Sequence, residues 1–166
     1  MNHTFFASVL IGVALLLSFP TAYAGENDRN SAIAGMTTAK AYYDVNVDTP
    51  AKLVKRLMLI NTTHEQLVKA GVKPDFIVGF RGKASYFVTK GDDDYILEED
   101  QADKLKVREW IERLKGLGIV LEQCLVAAEL HDIDHDDFLP QMTLVGNGYI
   151  SMIGYQARGY ALIPMY

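Results

Sequence analysis

Two hydrophobic rhythms take turns along this chain, one with a period of two residues and one at helical spacing. Lys40 to Val47 alternates, with Tyr43, Val45 and Val47 on one face and Tyr42, Asp44 and Asn46 on the other, which predicts a first strand. Asp48-Thr49-Pro50 then offers a capping residue followed by proline at the first helical position. Leu53, Leu57, Ile60, His64 and Leu67 recur at helical spacing until Gly71, so a helix follows, with His64 at its boundary. The apolar run Asp75 to Phe80 predicts a buried second strand that ends at the Arg81-Gly82 junction. Lys83 to Lys90 fits helix or strand equally, and Gly91-Asp92-Asp93-Asp94 predicts a turn with an acidic tip.

Glu98-Glu99-Asp100 places negative charge where a helix begins. Leu105, Val107, Trp110, Ile111 and Leu114 predict its buried stripe, with Asp100 and Lys104 as an exposed pair four residues apart. Beyond Gly116 and Gly118, the short apolar run to Cys124 reads as a buried strand, and Leu125 to Leu130 as a helix. An acidic loop, His131 to Asp137, leads to a strand at Met142 to Val145. The turn Gly146-Asn147-Gly148, a short helix from Tyr149 to Ala157 and a last strand from Gly159 to Pro164 complete the pattern. Alternation of this kind predicts right-handed βαβ crossovers and an α/β fold, a mainly parallel sheet of about five strands with helices on both faces. In such sheets sites lie beyond the carboxyl ends of the strands, where Asp48, Arg81, Cys124, Gly146 to Gly148 and Tyr166 all fall.

Length and composition narrow the reading. A chain of 166 residues suits one domain, expected over residues 39–166, with enough apolar residues (49%) to build a core. Ahead of it, residues 25–38 are small and polar and read as a flexible lead-in. Residues 1–24 read as a signal peptide: Phe5 to Leu17 is nearly all apolar, Pro20 breaks it, and Ala22-Tyr23-Ala24 has the small-x-small form of a cleavage site. Cleavage after Ala24 leaves a periplasmic protein without a membrane segment, and a retained N-terminal anchor is the alternative. The net charge of −5, with no cluster of Lys and Arg, argues against a nucleic-acid partner.

The single cysteine excludes an internal disulfide and any Cys-rich metal site. At a strand-to-helix junction, Cys124 would face the free N–H groups of the helix that follows, which favour a thiolate. Burial as an inert strand residue is the competing reading. Arg81 and His131 are the charged or titratable residues expected near it, with Gly82 giving close backbone approach. His131 and His135 with Asp132, Asp134 and Asp136 have metal-like spacing, yet a calcium loop fails at Asp137 and Thr143, and a solvated acidic loop is the better reading. Gly146-Asn147-Gly148 lacks the third glycine of a dinucleotide fingerprint, which Ser151 replaces, so it reads as a tight turn able to hold an anion. Neither a P-loop nor a Gly-x-Ser-x-Gly elbow is present, and no cofactor and no metal is called for.

The segment Gly118-Ile119-Val120-Leu121-Glu122-Gln123-Cys124-Leu125-Val126-Ala127-Ala128, with Ile133-Asp134 after it, resembles the DsrE/DsrF-like family, which includes the DsrE- and TusD-type subunits of sulfur relays. Phe76 to Phe80 with Gly82 is similar to that family's second-strand turn. Thr143-Leu144-Val145, Gln156 to Ala161 and Pro164 resemble its exported branch. The resemblance implies a flavodoxin-like α/β domain that assembles as a homo-oligomer, a trimer or hexamer. It also implies that Cys124 accepts sulfane sulfur as a persulfide and exchanges it with a donor or acceptor protein.

Overall fold

A computed structural model describes residues 30–91 and 96–166. The expected signal peptide and the acidic tip Asp92 to Asp94 lie outside the described residues, as does the first part of the lead-in. Five strands form one sheet: β1 (Thr38–Val45), β2 (Lys73–Phe80), β3 (Val120–Cys124), β4 (Thr143–Val145) and β5 (Ala161–Met165). All neighbouring pairs are parallel, and the order is β4-β3-β2-β1-β5. The predicted parallel α/β sheet is therefore the observed one.

Helices α1 (Pro50–Lys69), α2 (Gln101–Gly116) and α3 (Leu125–Leu130) connect β1 through β4, each step moving the same way across the sheet. Helix α4 (Gly148–Ala157) carries the chain back to the far side of β1. A right-handed crossover that reverses direction must lie on the opposite face. The cores confirm the split. Leu53, Leu57 and Ile60 of α1 and Val107, Ile111 and Leu114 of α2 pack on Tyr43, Val45, Val78, Phe80 and Leu121. On the other face Met152 and Tyr155 of α4, with Tyr160 after it, pack with Tyr42, Ile77 and Val120.

Local chemistry accounts for the element ends. Thr49 caps α1 by accepting from the Lys52 amide at 3.3 Å, and Pro50 needs no partner at the first position. His64 is half-buried at the helix boundary, edge-on to Phe76. Lys83 to Lys90, ambiguous in sequence, is mainly a run of 3-10 turns over Gly82–Val88. The stripe of α2 is shifted from the expected one: Lys104 is fully buried and Leu105 is 53% exposed. Positions 104, 107, 111 and 114 hold a stricter helical spacing, so the helix turns the lysine inward, where its Nζ donates to Thr89 Oγ1 at 2.9 Å. The expected exposed pair of Asp100 with Lys104 is thereby excluded.

Candidate functional site

At the carboxyl end of the sheet, β2 and β3 run in register until Phe80 pairs with Gln123. The next residues, Arg81 and Cys124, therefore come level on the face that α4 covers. Together with Gly82, Ala127, His131, Asn147 and Tyr149 they line a cleft of about 150 Å³. The four residues singled out in the sequence, Arg81, Gly82, Cys124 and His131, thus share one cleft. Gly82 is held at φ +57, a backbone conformation that favours glycine, and a methyl group there would push against the Asn46 side chain. A larger cleft of about 440 Å³ opens at the opposite end, lined by Thr38, His64, Lys73 and Asp75 among others, away from the cysteine.

Cys124 is buried, with 5% of its surface exposed. It occupies the capping position of α3, but its sulfur makes no cap there. Sγ instead accepts the backbone N–H of Gly148, the first residue of α4, at 3.2 Å. The expected electrostatic help from the following helix is thus supplied by a different helix. Helix α3 has only six residues, whereas α4 has 10 and offers the sulfur the N–H of its first residue. The main chain at Cys124 is fixed from the other face, where Gln123 Nε2 donates to Ser85 Oγ at 2.9 Å and to the Cys124 carbonyl at 2.8 Å.

Arg81 is committed rather than free. Its Nε and Nη2 donate to the two carboxylate oxygens of Asp44 at 2.7 and 2.8 Å, a bidentate pair. These bonds hold the guanidinium charged, well above its ordinary pKa. Tyr166 Oη donates to the same Asp44 at 3.0 Å. The Arg81 head also lies near the rings of Tyr149 and Tyr166, 5.2 and 5.9 Å from their centres. Arg56 donates to the main-chain oxygen of Tyr166 and ties the end of β5 to α1. His131 sits at the rim, its Nδ1 3.1 Å from Tyr86 Oη. Among the described residues, no three His, Cys, Asp or Glu side chains gather as metal ligands. Asp134 uses its carboxylate to accept the Asp136 amide at 2.9 Å, a local turn contact.

One row below Arg81 and Cys124 lies a group that the sequence reading did not single out. Asp44, Gly79 and Glu122 pair side by side across β1, β2 and β3. Tyr42 leans over the bare glycine: a methyl group on Gly79 would lie 1.9 Å from Tyr42 Oη. The hydroxyl therefore occupies the gap between two carboxylates. Burial first, then the charges of Glu122, Asp44 and Cys124, raise its pKa strongly. Glu122 is itself 6% exposed; its Oε1 accepts from Tyr155 Oη at 3.0 Å, and its Oε2 is buried with no hydrogen-bond partner. A carboxylate inside a strand read as buried, two residues before the only cysteine, was the available signal.

These elements define a doubly wound parallel α/β protein of the DsrE-like fold, with a cysteine at the carboxyl end of its third strand. Two solved structures share that architecture. MTH1491 from Methanobacterium thermoautotrophicum, described as a protein of unknown function, is 15% identical with a TM-score of 0.60, over 76% of this chain and 98% of that one. The ychN protein of E. coli is 12% identical with a TM-score of 0.54, over the same shares of the two chains. No family model and no curated protein matches the chain.

Proposed function

We propose that this protein is a sulfur carrier that holds sulfane sulfur as a persulfide on Cys124. The observation that carries the reading is the placement of the sulfur: Sγ takes the first N–H of α4 and borders a cleft that also contains Arg81. A helix N-terminus favours a thiolate over a thiol. The thiolate would attack the outer sulfur of a donor persulfide R–S–SH. The Cys124–sulfur bond forms as the donor's S–S bond breaks, giving Cys124–S–SH and R–S⁻ without a change in net oxidation. Val126, Leu130 and Tyr149 give the cleft an exposed apolar rim on which a donor or acceptor protein would seat. Export to the periplasm after removal of residues 1–24, and assembly as a trimer or hexamer, belong to the same proposal.

A second reading, an oligomeric binding module with an inert cysteine, draws on the low exposure of Cys124. Alkylation separates the two. The carrier reading expects Cys124 to react with iodoacetamide in the folded protein, without global unfolding. Reaction only at the rate of unfolding, followed through denaturant, would establish the inert cysteine instead.

A further inference from the structure

We propose that Glu122 restrains the reactivity of Cys124, its buried carboxylate opposing a second negative charge on the sulfur. The inference rests on the reading of Cys124 as the working residue and adds a second residue to its site. The two side chains project from the same face of β3, two residues apart, which places them roughly 7 Å from each other along the strand. Both lie beneath α4: Glu122 takes the hydroxyl of Tyr155 and Cys124 the N–H of Gly148.

The charge balance around the sulfur singles out Glu122. From β2, Arg81 faces the cleft, but both oxygens of Asp44 on β1 already neutralise it. From α4 come the phenols Tyr149 and Tyr155, joined by Tyr42 on β1 and Tyr166 beyond β5, while Arg158 after α4 lies over the Tyr155 ring, 4.4 Å from its centre, and donates to the Gly154 carbonyl rather than to Glu122. His131, at the end of α3, is turned to Tyr86. Among the described residues around the sulfur, Glu122 brings a carboxylate with no cation bonded to it, and its Oε2 is buried without a partner. A second negative charge on Cys124 beside the Glu122 carboxylate is therefore disfavoured, because like charges in a buried site repel.

Glu122 is thus a positioning residue, and the pH dependence of alkylation tests it without any sulfur donor. Two unit charges about 7 Å apart in an interior of effective dielectric about 20 change the thiolate fraction by about tenfold or more. Glu122→Gln is expected to alkylate at least that much faster than the wild type at neutral pH, with the gap closing as pH rises past full ionisation of the thiol. Glu122→Asp, which keeps the charge, should stay close to the wild type. Should Glu122→Gln fail to fold, Tyr155→Phe serves, because a carboxylate without its donor holds its charge less well and alkylation should again quicken. Superimposable rate–pH profiles for a folded Glu122→Gln variant, or for Tyr155→Phe in its place, and the wild type would overturn the proposal. That outcome would leave sulfur uptake by Cys124 untouched, and a failure of sulfur uptake would leave the coupling of the two residues standing.

Discussion

At the scale of single residues, the site depends on an absent side chain. Gly79 is buried near the carboxyl end of β2, and its missing Cβ is the space into which Tyr42 Oη reaches. Gly79→Ala would drive a methyl group against a ring that is 1% exposed and cannot swing away. Overpacking of this kind costs about 1–3 kcal/mol, measurable as a lower midpoint in urea. In a Tyr42→Ala background the same change should cost little, because the clashing ring is gone, and the two effects should fail to add. Equal costs in both backgrounds would show that the hydroxyl of Tyr42 does not occupy that gap. Asp44 works on the same scale: its two oxygens serve Arg81 and Tyr166 together, so one buried carboxylate fixes the ends of β2 and β5.

At the scale of elements, the helices and strands were readable because each buries one face or two in a regular period. The alternation in β1, the cap at Thr49-Pro50 and the glycine after α2 sufficed to place the first half of the chain. The phase of α2 was not readable, since Lys104 and Leu105 are neighbours and only packing decides which turns inward. The site divides in the same way. Cys124, Arg81, Gly82 and His131 fell at strand ends and loops, where the βαβ pattern alone points. The helix that meets the sulfur was hidden because α4 reaches Cys124 only through the reversal between β4 and β5, a contact 24 residues away in sequence. The pairing of Arg81 with Asp44, 37 residues apart, was hidden for the same reason. So was the row Asp44-Gly79-Glu122, which needs the register of three strands before its members become neighbours.

At the scale of the whole molecule, the two faces of the sheet differ in chemistry. The α1–α2 face is a broad apolar core, while the α4 face holds carboxylates and phenols beneath a single helix. Phenols on both faces resist ionisation. Burial pushes the Tyr43 pKa up to about 12, and burial followed by its bond to Glu122 pushes Tyr155 up to about 12 as well. A tyrosine in the unfolded chain ionises near 10. The folded state therefore retains protons that the unfolded state loses between about pH 10 and about pH 12, so the stability these groups contribute is complete below pH 10 and lost as pH rises through that window. Thermal unfolding followed by circular dichroism should show a falling midpoint across this range, with a shallower fall in Tyr43→Phe. A midpoint independent of alkaline pH would contradict that environment for the two rings.

The same face carries the cysteine, and its role is open to a direct reading by mass. The protein incubated with a sulfane-sulfur donor and examined by intact mass spectrometry should gain one sulfur atom, removable by a thiol reductant, and Cys124→Ser should gain none. A wild type that gains no sulfur, or a Cys124→Ser variant that gains as much, would contradict the assignment of Cys124 as the carrier residue.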